Sequence, residues 1–244
     1  MNTQIFSVSL PRSGHHYFIG LLASCAGPID YCFRRSQCCG EIPCSRPLKP
    51  LFVHKSHDPD LKLAKNRPVF YMIQHREPVG HILSYLENLR IKRGEAFRID
   101  DENFAARWLQ LHAAYYAGFI RKRVRDPPSG AFVLDYADLC ADPIYALHGF
   151  LQAIGQEVDE ARLVAAIEIN RSLKGPRVRP SELHNQSAVG FLTTDQLGWT
   201  GRMPHSPRNE TATGLTNLFC ALVEEELAKS PHAKSEGVCA PPGG

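Results

Sequence analysis

Three short stretches of the chain combine residues that can hold an anion and move a proton. The first is "IFSVSLPRSGHHYFIGLL". An apolar, β-branched run at Ile5 to Ser9 leads into Pro11-Arg12-Ser13-Gly14, and then into a segment with apolar residues at Phe18, Ile19, Leu21 and Leu22. Between a strand and a helix, Gly14 lets the backbone turn tightly, so that successive N–H groups and the positive helix end face one anion. That is a phosphate cradle. It is not a Walker loop, because the first glycine of that pattern is missing and His15 stands where its lysine would follow. A β,γ-phosphate with its magnesium is therefore not the expected ligand.

The second stretch is "FYMIQHREPVGHILSYL". Arg76 lies just past a strand end, and Pro78 takes the position favoured in the first turn of the next helix. Ser84 then lies about 9 Å along the helix axis from Pro78. An arginine at the strand end and a hydroxyl on the helix can close on one phosphate from two sides, although Arg76 alone reads equally well as a surface ion pair. The third stretch, "LFVHKSHDP", ends a strand in Lys55-Ser56-His57. A cation two residues from an imidazole suits a reaction that removes a proton while negative charge builds on a leaving group. His54 with His57 is the alternative, half of a metal site, but no second ligand pair with clear spacing accompanies it, so no metal is expected.

These residues need a scaffold that brings strand ends to one edge. Strands are expected at 5 to 9, 51 to 55, 69 to 75 and 131 to 136, and helices at about 15 to 26, 78 to 92, 103 to 125, 143 to 154 and 159 to 169. Gly27-Pro28 stops the first helix. Buried-looking strands alternating with amphipathic helices give an α/β fold, a single P-loop-like domain whose mainly parallel central sheet is flanked by helices. Such sheets collect ligands at the carboxyl ends of their strands. The domain is expected over residues 1–229, with a disordered tail at 230–244.

In the helix from Asn103, the spacing of Phe104, Trp108, Leu111, Tyr115 and Phe119 reads as core contact rather than a binding platform. Its last turns carry Arg121, Lys122, Arg123 and Arg125, read as a solvated basic end that suits the helix dipole. Residues 170 to 210 have no clear period and are expected to form a long functional loop or lid. Thr211 to Lys229 read as a further helix.

The 244 residues, 43% hydrophobic and 22% charged, suit one sizeable globular domain. A formal net charge of +3 tolerates anionic ligands without implying a nucleic-acid surface. There is no apolar run long enough for a membrane span, and the N-terminus enters a core strand at once, so a cytoplasmic location is expected. The crowded Cys32, Cys38, Cys39 and Cys44 are then read as a loop carrying free thiols, their spacing matching no zinc motif.

With these segments in place the chain resembles the sulfotransferases that use 3′-phosphoadenosine 5′-phosphosulfate (PAPS). "LPRSGHHY" is similar to their 5′-phosphosulfate loop, Arg76 with Ser84 to their 3′-phosphate motif, and Lys55-Ser56-His57 to their catalytic K-T-H. "VLDYADLCADPIYAL" resembles a further strand-and-helix segment of the family, so the likeness runs in order from residue 1 to about 155. His15-His16 replaces common hydroxyl residues, and "QLGWTGR" keeps Gly198 and Gly201 but has Gln196-Leu197 in place of a basic pair.

The resemblance implies PAPS as donor without a metal, His57 as general base on an acceptor hydroxyl, and Lys55 and Arg12 stabilising the transferring group. It further implies Ser13, Gly14, His15 and His16 around the 5′-phosphate, Arg76 and Ser84 on the 3′-phosphate, and Arg202 in place of the missing basic pair. The acceptor class stays open among carbohydrate, lipid head group, phenol and peptide tyrosine, as does the oligomeric state. Two rivals also stay open: a nucleotide kinase-like phosphotransferase, and a nucleotide-binding protein of this fold without turnover.

Overall fold

The structure is a computed structural model and describes residues 3–27, 29–33, 50–93, 102–172, 190–191 and 210–229. The apolar run near the start forms β1 (Thr3–Ser9), followed by α1 (His15–Ala26) and β2 (Asp30–Phe33). Then come β3 (Leu51–Ser56), β4 (Phe70–His75), α2 (Pro78–Arg93) and α3 (Glu102–Phe119), which runs directly into a π-helical turn at Ile120–Arg125. The chain continues through β5 (Phe132–Asp135), α4 (Tyr136–Ala141), α5 (Pro143–Ala153), α6 (Glu160–Ser172), β6 (Gly190–Phe191) and α7 (Glu210–Ala228).

The strands form one sheet in the order β5-β4-β1-β3-β2-β6, parallel throughout except for the antiparallel edge pair β2 and β6. From β1 the chain skips one place to β2, returns to fill the gap with β3, and then crosses to β4 and β5 on the other side, so β1 marks the reversal where α/β sheets bind ligands. The mainly parallel α/β architecture expected from the alternating pattern is the one observed.

The two faces follow from the period of two in each strand. Ile5 and Met72 face α1, α5 and α6, where Phe18, Leu22, Phe150 and Leu163 are fully buried. Phe6, Val8, Tyr71 and Ile73 face the opposite way, against Ile82, Leu109, Tyr116 and Phe219 of α2, α3 and α7. Burying a side chain of this size contributes about 1.5–3 kcal/mol. Two aspartates punctuate "LDYADLCADPIYAL": Asp135 accepts from Ala137 N at 2.8 Å and Asp142 from Tyr145 N at 2.9 Å, each capping the helix that follows.

Several expectations need correction. The segment after α1 holds a strand, β2, because Asp30 to Phe33 pairs with β3. Its Cys32 is disulfide-bonded, against the reading of free thiols, while Cys25, Cys140 and Cys220 are free. Cys38, Cys39 and Cys44 lie outside the described residues, as do the tail and nearly all of the expected lid. In α3, Phe119 is buried and Trp108 and Tyr115 pack half-buried against the core, as expected, but Leu111 is exposed and the rest of the buried stripe is Leu109, Ala113 and Tyr116. The basic end of that helix is not simply solvated: Arg123 is fully buried, and Arg121 and Lys122 donate to the carbonyls of Glu226 and Leu61.

Among the described residues no helix is long and apolar enough to cross a membrane.

Candidate functional site

The strand register decides where chemistry can happen. Val8 pairs with Ser56, Ser9 with Gln74, and His75 with Asp135, so β1, β3, β4 and β5 all end along one edge. The residues that follow, Leu10 to Gly14, His57, Arg76 and Tyr136, therefore line up there.

The loop after β1 is fixed from below. Ser13 is fully buried and spends its hydroxyl on Leu10 O at 2.7 Å, while Gln74 Nε2 donates to Ser13 O at 2.8 Å. Arg12 and Gly14 both adopt left-handed backbone, φ 64 and 79. At Gly14 a glycine is required twice over, since a Cβ there would sit 2.2 Å from the Tyr136 ring. Gly14 also caps α1 without a side-chain hydrogen bond, so no cap side chain covers the first-turn N–H groups. A helix start of this kind favours an anion.

Cations converge on that helix start. Arg12 Nε donates to Ser84 Oγ at 3.1 Å, joining the loop to α2. Arg76 is buried, donates from Nη1 to Arg12 O at 3.5 Å, and lies 4.5 Å above the Tyr136 ring centroid. Tyr116 holds its backbone carbonyl at 2.7 Å, and its Nε, although buried, has no hydrogen-bond partner and only a 3.7 Å ion pair with Glu77. Lys55 comes from β3 and reaches His16 Nε2 at 3.5 Å. Burial, and secondarily the charge on Arg12, push the Lys55 ammonium down to about 7. A buried Lys55 beside the exposed Arg12, each opposing the other's charge, makes a site that an anion would relieve.

The histidines divide by environment. His57 Nδ1 donates to Ser9 O at 2.7 Å, which leaves Nε2 as the basic nitrogen of its ring when neutral. His15 turns beneath the loop, 3.0 Å from Ser7 Oγ and 3.2 Å from Tyr31 OH. Burial first, and then Lys55, His16 and His57, hold it well below the usual imidazole range. Its side chain thus supports the loop, and what it can offer an anion at the helix start is its backbone N–H. His54 packs against the Phe52 ring within β3 at a tilt of 50°, and burial lowers it to about 4.

Of the residues singled out from sequence, Arg12, Ser13, Gly14, His16, Lys55, His57, Arg76 and Ser84 share this edge or the elements that border it. Arg202 lies outside the described residues. No group of three or more metal-ligating side chains occurs among the described residues. Sequence reasoning missed Tyr136, Gln74 and Tyr31, which brace the loop. It also missed Asp58 and Arg123, a fully buried ion pair directly behind His57, with Arg123 Nε 2.7 Å from Asp58 Oδ2. The one sequence signal for the pair is an aspartate directly after the histidine.

No protein-family model and no curated protein sequence matches the chain. Solved structures do. A mouse sulfotransferase, SULT7A1, complexed with PAP, superposes with a TM-score of 0.63 at 13% identity, covering 94% of this chain and 86% of that one. A retinol dehydratase in complex with retinol and PAP gives a TM-score of 0.52 at 12% identity, covering 96% of this chain and 84% of that one. The chain has the fold of the PAPS-dependent sulfotransferases.

Proposed function

We propose that this chain is a sulfotransferase that moves a sulfuryl group from PAPS to an acceptor hydroxyl. The observation that carries the reading is the convergence of Arg12, Lys55 and Arg76 on the N-terminus of α1, with His57 following the neighbouring strand. The shared fold supports the donor class, because both structural neighbours hold PAP, the product that PAPS leaves behind. Retinol in one of them is in keeping with a small alcohol as acceptor.

Sulfuryl transfer, like phosphoryl transfer, is an in-line displacement, so the protein's tasks are alignment and charge stabilisation. The α1 N-terminus, with Gly14 and the backbone of His15 and His16, holds the 5′-phosphate. Arg76 and Ser84 hold the 3′-phosphate from β4 and α2, and the buried Arg76 Nε keeps a donor for it. His57 takes the acceptor proton on Nε2, because Nδ1 is committed to Ser9 O. Lys55 and Arg12 stabilise the oxygen from which the sulfuryl group departs. Lys55 suits that task because an ammonium poised near neutral pH can deliver a proton as charge develops.

Incubation with sulfur-labelled PAPS and a panel of acceptors, a phenol, a primary alcohol and a monosaccharide, tests the reading. Transfer to at least one acceptor, lost in His57→Ala, is expected. PAP binding with no transfer to any of them would favour a nucleotide-binding protein without turnover.

A further inference from the structure

We propose that the buried Asp58–Arg123 pair positions the His57 ring, which makes Arg123 a positioning residue for the base. The inference rests on the reading of His57 given above and adds to it the device that holds the ring.

The chain leaves β3 through a tight turn whose anchors converge on Asp58, the residue after His57. Asp58 N donates to Ser56 Oγ at 3.0 Å, and Asp58 sits in left-handed backbone with φ 45. Its Oδ1 accepts from Leu63 N at 3.0 Å, and its carbonyl accepts from Leu61 N at 2.9 Å. Arg123 closes the turn from the other side: Nε and Nη2 both reach Asp58 Oδ2, and Nη2 donates to Leu63 O at 2.7 Å. Tyr115, two turns earlier on α3, donates to the His57 carbonyl. Backbone and ring of His57 are thus held on three sides, by Tyr115, by the Asp58 turn and by Ser9.

Two features argue that this pair does more than fill space. An ordinary α-helical continuation of α3 gives way to π-helical winding at Ile120–Arg125, the stretch that delivers Arg123 to Asp58. A buried ion pair is also a poor way to gain stability, since well-packed apolar residues often do as well or better; what a planar guanidinium fork supplies is fixed geometry. Here the geometry is that of a left-handed residue immediately after the base. Released from the fork, Asp58 can relax to ordinary backbone and carry the His57 ring away from Ser9 O.

The test uses the full chain with isotope-labelled histidine, reading the ring nitrogens of His57 by nuclear magnetic resonance at a pH where the ring is neutral, with His57→Ala for assignment. The wild type is expected to show the Nδ1–H tautomer. In Asp58→Asn combined with Arg123→Met, which removes both charges and keeps a residue that tolerates left-handed backbone at 58, the two nitrogen signals should move toward each other. Turnover should fall on the order of ten- to a hundredfold, with PAP affinity changed less than about twofold as the mark of an undisturbed donor site. Arg123→Lys, which keeps the charge and loses the fork, should show a smaller displacement of the same sign.

Unchanged ring signals in a folded double variant, or in folded Arg123→Lys, would overturn the proposal. The two readings fail separately. Transfer that survives His57→Ala removes the base assignment whatever the ring signals do, while loss of transfer in His57→Ala with unmoved signals in the pair variants removes only the positioning role.

Discussion

Arg12 Nε donates to Ser84 Oγ at 3.1 Å across 72 positions of sequence. The contact joins the loop after β1 to the second turn of α2, so the two segments read separately as anion holders meet. Arg76 completes the link by donating to the Arg12 carbonyl while stacking on Tyr136. Replacing either arginine therefore disturbs both halves, and the size of each effect tells which half carries more.

Arg76→Ala should weaken PAP binding by about 1.5–3 kcal/mol, the range for a hydrogen bond to a charged group. Ser84→Ala should cost less, about 0.5–1.5 kcal/mol, as expected for a neutral donor. Calorimetry on the two variants checks the order. A larger loss at Ser84 than at Arg76 would contradict the assignment of the main charge to Arg76.

Gly14→Ala should both destabilise the fold and impair PAP binding. Left-handed backbone costs an alanine about 1–2 kcal/mol, and its Cβ would meet Tyr136 at 2.2 Å. Tyr136→Ala in the same chain should recover the part of the loss due to the clash and leave the backbone part. Thermal melts of the four-member cycle measure both; a Gly14→Ala variant as stable as wild type would refute the close packing of loop and ring.

Lys55 gives binding a pH dependence of definite sign. Burial and Arg12 lower it to about 7, so above that pH a growing fraction is neutral in the free protein. Binding an anion favours the charged form, so PAP binding should take up a proton and weaken as pH rises from about 7 toward 9. Lys55→Met should flatten that slope. For the free protein the sign runs the other way, because the unfolded lysine binds a proton that the folded one releases: stability should rise from about pH 7 toward 10. A slope of PAP binding that persists unchanged in Lys55→Met would assign the titration to another group.

Buried imidazoles set the acid limit. His81 is held down to about 3 by burial, then by His112 and Arg76, and His15 well below its usual range. Each stays neutral when folded and takes a proton when unfolded, so stability should fall as pH drops below about 6.5, by about 1.4 kcal/mol per pH unit for each such group. Denaturant melts between pH 7 and 5 check this, and a flat profile would mean that these rings are charged in the folded protein.

Much of the frame was legible because it rests on period and punctuation. The run Ile5 to Ser9, the stop at Gly27 and the proline at the start of α2 are local signals, and the observed elements follow them to within a few residues. What escaped is non-local or short. β2 is only four residues long, and pairing with β3 rather than any strong pattern makes it a strand. Nothing in "FIRKRVR" announces π-helical winding, so Arg123 reads as one more solvated cation until Asp58 is seen opposite it. The resemblance puts His15 at the 5′-phosphate without saying where its ring goes; the inward turn of the ring depends on Ser7 and Tyr31, contributed by two different strands. Tyr136 escaped for the same reason, since its contacts with Gly14 and Arg76 span the sheet edge.

The most direct test of the proposal that this site takes two phosphates on one adenosine is a calorimetric titration of the full chain with PAP, alongside ATP with magnesium. PAP should bind, and ATP should bind at least tenfold more weakly, a difference of about 1.4 kcal/mol or more. Equal affinity for the two, or a preference for ATP, would contradict the donor reading outright.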